Sequence, residues 1–278
     1  MNYYEPFFGG GALLFHLKES PKLVKWVGGK EKLLPQLMPH FAVDLHQVKR
    51  HVVSDDNLRL VRTYRAVRDS PAAVIDALKA HAAAYAVGGE ATYYKVRSLD
   101  PEAMPDHEAA AWFIFLNRTG YNGLYRVHQK KGTFNVPHGK WARPPVICDE
   151  ARILAVSRAL AGVLIEHRDF AAMVEMADTG DFVYMDPPYA PLSASSSFSA
   201  GYTGRKGGKA EEERFQTRIR DTALRLKRRG VYVYVSNSSA PLIYALYEKD
   251  FELVEVQAAR AVNSKADRRG PVLELLLK

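Results

Sequence analysis

Residues 181–189 read DFVYMDPPY, and this stretch limits the possible folds more than any other in the chain. Phe182-Val183-Tyr184-Met185 is a short apolar run of the kind that fills a central strand. Pro187 and Pro188 have no N–H to give a ladder, so pairing has to stop there. The strand therefore delivers Asp186 to an edge of its sheet. In open α/β sheets ligands bind at the carboxyl ends of strands, which makes this tetrapeptide a candidate site. For a bare D-P-P or P-P-Y match a plain strand stop followed by a turn is the more frequent explanation, so the rest of the chain has to decide.

Strand-like and helical patterns alternate at both ends of the chain. Tyr3–Phe7 reads as a strand, Gly9-Gly10-Gly11 as a turn and Ala12–Leu17 as a short helix. After Gly28-Gly29 a helix is expected from near Lys30, then a strand over His51–Ser54 that ends in acids. The pattern is mostly helical from about Leu58 to Asn117, and NGLYRVHQKKGTFNVPHG alternates as a hairpin should around Lys130-Lys131-Gly132. A helix near 149–160, a strand over Val163–Glu166 and a short helix opening at Asp169-Phe170 follow. Beyond the DPPY block come a serine- and glycine-rich loop over 192–210, a helix from about Glu211 to Arg229 and a strand in GVYVYVSNSS. A loop that long inside a compact domain is uncommon unless it closes over something. FELVEVQAARAV and PVLELLLK predict an antiparallel closing pair around NSKADRRG. The expected class is α/β: one doubly wound sheet built from 1–57 and 147–278, interrupted by a mainly helical insertion with a β-hairpin over 58–146.

Charge bears on the partner. A formal charge of +8 with a pI near 9.4 favours a polyanion, because lysines and arginines that neutralise phosphates release counterions. The basic run 225–229 has a simpler explanation, since cations at the end of a helix suit its dipole. One cysteine, Cys148, excludes an internal disulfide framework and a cysteine-rich zinc site, and no metal is expected. No apolar run approaches the ~20 residues of a membrane span. The opening MNYYEPFFGGG lacks a secretion-signal layout, so a cytoplasmic place is expected.

The chemistry follows from two clusters. Small residues after a strand let a cofactor approach the backbone, and an acid after the next strand, Asp55 or Asp56, can hold ribose hydroxyls. G-G-G is not G-x-G-x-x-G, which disfavours a plain nicotinamide dehydrogenase. At the other cluster, Asp186 and the carbonyl of Pro187 suit an exocyclic NH2, and Tyr189 suits stacking on a flat heterocycle swung out of a duplex.

The segments EPFFGGGALLF, KWVGGKEKLLP, VVSDDNLRLVRTYRAVRD, FLNRTGYNGLYR, GTFNVPHG, GDFVYMDPPYAP and SNSSAP resemble the blocks of the DNA adenine-N6 methyltransferases of the Dam type. The likeness spans nearly the whole chain. It implies a Rossmann-like methyltransferase domain with an inserted target-recognition domain. The implied cofactor is S-adenosylmethionine, with S-adenosylhomocysteine as product, and the implied substrate is double-stranded DNA. By matching position, Trp26, Lys30, Glu5, Pro6, Phe7, Gly9, Gly10 and Gly11 fall beside the methionine end of the cofactor, Asp55 at its ribose, and Asp169 and Phe170 near its adenine. Asp186, Pro187, Pro188 and Tyr189 form the catalytic block. Lys25, Arg118, Tyr121, Asn122, Leu124, Arg126, Pro137 and Trp141 fall in the blocks that contact DNA, Trp141 standing where a tyrosine is usual. A core role for Trp26, turn roles for Tyr121 and Asn122-Gly123, and solvated roles for Lys130, Lys131 and Arg268-Arg269 stay open. The expected target is adenine in GATC, the expected state a monomer in the cytoplasm and on the nucleoid, and a cognate restriction endonuclease is a possible partner. A catalytically silent DNA-binding homologue, or methylation of cytosine N4, are the competing readings.

In relatives the KWxGGK block normally precedes EPFxGGG, whereas here EPFFGGG comes first. Residues 19–27 can span at most ~30 Å, about a strand layer plus a turn, so the swapped order is geometrically possible. RKGGKAEEERFQTRIRD also lacks the family's usual glycine-phenylalanine turn and acid-glutamine pair.

Overall fold

The structure, a computed structural model, describes residues 1–128, 130–192, 208–259 and 271–278. Seven strands form one sheet: β1 (Asn2–Glu5), β2 (Arg50–Asp55), β3 (Leu164–His167), β4 (Phe182–Met185), β5 (Tyr232–Ser238), β6 (Leu253–Ala259) and β7 (Pro271–Leu277). Their order is β3-β2-β1-β4-β5-β7-β6. β1 runs parallel to β2 and β4, and β4 parallel to β5, whereas β7 is antiparallel to both β5 and β6. The expected antiparallel closing pair is therefore present, with β7 placed between β5 and β6. The order reverses at the β1/β4 pair, where ligands bind in doubly wound sheets. Tyr3 lies opposite Phe182 and Tyr4 opposite Val183, so Glu5 and Asp186 both emerge at that switch point.

The helices are α1 (Ala12–Leu17), α2 (Leu34–Leu37), α3 (Leu58–Asp69), α4 (Pro71–Arg97), α5 (Asp106–Thr119), α6 (Glu150–Leu160), α7 (Phe170–Val174), α8 (Lys209–Arg228) and α9 (Pro241–Tyr247). Two differ from the sequence reading. The carbonyl of Lys30 accepts from Leu33 and Leu34 N–H, so turning starts where expected, but regular helix covers only α2, with Pro35 inside it and Pro39 in the 3-10 turn that follows. α4 breaks at Gly89, with φ 49° and ψ −125°, because the Gly88-Gly89 pair offers a conformation closed to other residues.

Packing divides the chain into two compact units. The first holds 1–8, 30–54 and 168–278. Its centre is aromatic: Tyr3 stacks on Phe182 at 5.6 Å, and Phe41 meets Tyr234 edge-on at 4.7 Å. The second unit holds 9–29 and 55–167. Its centre is α5, where Trp112 and Phe115 are buried and Trp112 Nε1 donates to the Val96 carbonyl at 2.9 Å. The hairpin lies in this unit: Val127 bridges Phe134, Asn135 N–H donates to the Arg126 carbonyl at 2.9 Å, and Gly132 turns the tip at φ +64°. Among the described residues no helix is long and apolar enough to cross a membrane.

Candidate active site

In the first unit β4 stops at Met185 and hands Asp186 to Lys30. Lys30 Nζ lies 2.8 Å from Asp186 Oδ1 and 4.0 Å from Glu274 Oε2. The lysine is 3% exposed, so its charge is tolerated only because carboxylates meet it. The same ammonium sits 4.5 Å from the centre of the Tyr189 ring. Tyr189 donates its hydroxyl proton to Glu274 Oε2 at 2.7 Å. Burial raises the Asp186 carboxyl to about 6, with Lys30 pulling it down and Glu274 pushing it up. Burial, then Asp186 and Glu274, raises the Tyr189 hydroxyl well above its ordinary value, so it stays a proton donor.

The backbone of the block is gripped by buried amides. Gln216 Nε2, from α8, donates to the Pro188 carbonyl at 3.0 Å, and its Oε1 accepts from Asn237 Nδ2 at 2.9 Å. Asn237 Oδ1 accepts from Ala190 N–H at 3.1 Å, and Ser238 Oγ donates to the Ala190 carbonyl at 2.7 Å. Gln216 and Asn237 are fully buried, and both ends of each amide are hydrogen-bonded. Asn237 belongs to SNSSAP, but Gln216 was not singled out from sequence. Its signal was its phase: it lies three residues before Ile219 on the buried stripe of α8.

At the end of β1, Glu5 accepts the Tyr3 hydroxyl at 2.7 Å, and Pro6 leads to Phe7, which stacks on Phe170 at 5.0 Å. Phe215 meets Phe170 edge-on at 6.0 Å, and the Arg218 guanidinium lies 4.5 Å from the Phe170 ring centre. Asp169 caps α7 by accepting from Ala171 N–H at 3.0 Å and pairs with Arg218. Partial burial would raise the Asp169 carboxyl, but the Arg218 bonds outweigh it and hold it below the usual carboxylate range.

In the second unit the glycine turn is packed by an indole. A Cβ on Gly9 would stand 2.6 Å from Trp26 Nε1, and one on Gly10 2.9 Å from Trp26 Cβ. The segment over 19–27 thus does return from α1 to the turn, as the swapped block order requires. Gly9→Ala is expected to destabilise the chain by about 2–4 kcal/mol, combining a positive φ with overpacking. Chemical denaturation checks this, and adding Trp26→Ala should recover part of the loss. Asp55 ties the turn to the next helix: Oδ2 accepts from Gly9 N–H at 2.8 Å and Oδ1 from Asn57 N–H at 2.9 Å. Burial, then the neighbouring Asp56 charge, raises the Asp55 carboxyl to about 7 against the pull of those two N–H groups.

The residues read for DNA between Lys25 and Trp141 share this unit. Buried Asn117, not singled out from sequence, accepts from Lys25 N–H at 2.9 Å and donates to the carbonyls of Lys25 and Gly123. It thereby clamps the start of KWVGGK to the YNG turn. Asn122 and Gly123 have φ of 54° and 67°, the pair a tight turn demands. Tyr121 is exposed and its N–H donates to the Pro137 carbonyl at 2.9 Å; Leu124 N–H donates back to the Tyr121 carbonyl at 3.1 Å. Lys25 Nζ lies 5.4 Å from the Trp141 ring, and exposed Arg126 is steadied by Asn135 Oδ1 at 2.8 Å. Lys130 and Lys131 are solvated at the hairpin tip. Arg118 is turned inward, donating to the Leu23 carbonyl at 3.0 Å, and burial lowers its pKa. Arg268-Arg269, the NSKADRRG loop and most of 192–210 lie outside the described residues.

The profile of the family described as D12 class N6 adenine-specific DNA methyltransferase matches residues 41–262. The chain belongs to this family. The match begins after the two blocks whose order is swapped. The chain is 34% identical over 282 residues to the Type II methyltransferase M1.LlaDCHI of Lactococcus lactis subsp. cremoris, covering 99% of this chain and 85% of that one. It is 33% identical over 283 residues to the Type II methyltransferase M.MjaIII of Methanocaldococcus jannaschii, covering 99% and 87%. The DNA adenine methylase of Escherichia coli K12 is 28% identical over 275 residues, covering 94% and 95%. These findings give no support to a cytosine-directed or silent reading.

A D12-class adenine methyltransferase uses S-adenosylmethionine on DNA, and the sheet order is that of such a fold. Within the first unit the structure brings together Lys30, Asp186 and Tyr189, and separately Phe7, Asp169 and Phe170. Within the second it brings together Gly9, Gly10, Trp26 and Asp55, and separately Lys25, Trp141 and the YNG turn. Lys30, expected at the cofactor, places its ammonium on Asp186.

Proposed function

We propose that the enzyme methylates N6 of an adenine turned out of duplex DNA, within GATC, and that Asp186 and the Pro187 carbonyl hold the amine. The observation that carries this reading is Asp186 at the sheet's switch point, its carboxyl raised to about 6 beside buried Lys30. Asp186 is ionised at neutral pH and accepts one amine hydrogen, while the Pro187 carbonyl accepts the other. Both bonds draw the nitrogen lone pair out of conjugation with the ring and aim it. A carboxylate of that basicity also suits the proton the nitrogen sheds. Tyr189 offers the ring face away from Lys30 to the purine. Pro188 keeps the turn rigid, with its carbonyl held by Gln216.

The residues present fit S-adenosylmethionine by the chemistry of their donors. In the second unit Asp55 offers a buried carboxylate suited to a ribose diol; in the first, Phe7, half-buried and stacked on Phe170, offers a ring suited to a purine. When bound, S-adenosylmethionine supplies a methyl group on positively charged sulfur.

For sequence, Arg126 is proposed to read guanine through O6 and N7, with Leu124, Tyr121, Lys25 and Pro137 beside it. Two relatives are named Type II methyltransferases, which supports a cognate restriction endonuclease as partner. Methylome sequencing of DNA from cells expressing the chain should show N6-methyladenine at GATC. Methylation at other GAT-containing sites would revise the target, and its absence would overturn the reading. Arg126→Ala should weaken discrimination at the guanine by about 1–3 kcal/mol, read as relaxed methylation at sites altered there.

A further inference from the structure

We infer that Glu274 is a positioning residue for methyl transfer, holding Tyr189 in place and offering Lys30 a second seat beside Asp186. The inference rests on the reading of Asp186 and Tyr189 given above.

Glu274 sits in the leucine-rich strand β7, opposite Ser238 of β5 and Val256 of β6. A carboxylate between two strands, with its side chain 19% exposed, costs desolvation that a structural strand has no reason to bear. Its Oε2 receives the Tyr189 hydroxyl at 2.7 Å and lies 4.0 Å from Lys30 Nζ. Tyr189 is therefore restrained twice, in its plane by Glu274 and over one face by the ammonium 4.5 Å from its centre.

The ammonium is shared unequally, 2.8 Å from Asp186 and 4.0 Å from Glu274. While it rests on Asp186 Oδ1, that oxygen is engaged and its charge partly neutralised. An arriving amine needs the same carboxylate as acceptor. A shift of about 1 Å toward Glu274, close to the difference between those two distances, releases Asp186 without leaving a buried cation unpaired. Among the described residues, the charged groups that act on Asp186 are Lys30 and Glu274, and the neighbouring hydroxyls are those of Tyr184 and Tyr189.

The test uses the full chain, a GATC duplex and tritiated S-adenosylmethionine, with Glu274→Gln, Tyr189→Phe, their combination and Asp186→Ala. Glu274→Gln keeps an acceptor for Tyr189 and removes the charge. It should lower kcat about tenfold, leave both KM values within about twofold, and move the acid limb of kcat/KM to lower pH, because the repulsion on Asp186 is gone. Tyr189→Phe should lower kcat without moving the limb, and the double variant should lose less than the product of the two single losses. Wild-type kcat with an unmoved limb in Glu274→Gln, or fully multiplicative losses, would overturn the inference. So would a loss explained by a smaller folded fraction alone. If Glu274→Gln does not fold, Tyr189→Phe still decides, since wild-type kcat there shows that holding Tyr189 does not serve methyl transfer and overturns the inference. Methyl transfer surviving in Asp186→Ala would instead remove the reading on which the inference rests.

Discussion

Asp186→Ala is expected to cut methyl transfer at saturating substrates by at least about 100- to 1,000-fold, while cofactor affinity changes little. The size follows from removing one preorganised acceptor at the reacting group. Asp186 lies at the end of β4, its oxygen 2.8 Å from Lys30 Nζ, and the residues proposed above for the cofactor are others. Alanine also strips the buried lysine of its partner at 2.8 Å, so activity must be divided by folded fraction before it is compared. Asp186→Asn is the cleaner companion, since it keeps shape and one acceptor oxygen. In the wild-type enzyme kcat/KM should fall below about pH 6, because the carboxyl is raised to about 6 and protonation both removes an acceptor and breaks the Lys30 pair. Asp186→Asn should show a low, flat profile across that range. An acid limb that persists in Asp186→Asn would assign the titration to another group.

The fold was legible because its signals are local. Pro187 and Pro188 announce the end of β4, Gly9–Gly11 announces the turn after β1, and Asp169 announces the start of α7 by the side chain that caps it. Each is a backbone constraint readable within a few residues. What was not legible depends on partners distant in sequence. Tyr189 and Glu274 are 85 residues apart and Pro188 and Gln216 28 apart, and nothing in LELLL or ERFQ names the other end. The glycines show the same limit. Small residues at 9 and 10 were read as room for a cofactor, whereas Trp26 occupies the space their Cβ atoms would take. The indole that closes on these two glycines could not be deduced from the residue types alone. Lys30 is similar: KWVGGK marked it as important, and only the fold shows its ammonium on the Asp186 carboxylate. The polar groups around the DPPY block thus form two sets, one reaching β7 through Glu274 and one reaching α8 through Gln216, and together they hold the chain that leaves β4.

The other large effect expected concerns Asp55 and runs in two opposite directions with pH. Its carboxyl is raised to about 7 by burial and by Asp56. A carboxylate whose folded pKa exceeds its unfolded value binds a proton more tightly when folded. Its share of stability is therefore full below about pH 4 and is lost as pH rises through about 7. The cofactor-free protein should accordingly melt higher at pH 5.5 than at pH 7.5 on this account. If Asp55 accepts ribose hydroxyls in its ionised form, affinity should move the other way. Binding of S-adenosylhomocysteine, followed by calorimetry, should weaken by about tenfold per pH unit below pH 7, with proton release on binding. Asp55→Asn should flatten both trends, and its affinity at pH 8 should fall about 10- to 100-fold, the worth of charged hydrogen bonds. Because Asp55 also holds Gly9 and Asn57 N–H groups, a variant that merely loosened the turn would lose affinity equally at every pH. A pH-independent wild-type affinity between 5.5 and 8 would therefore take the ribose away from Asp55 and leave it as the brace of the glycine turn.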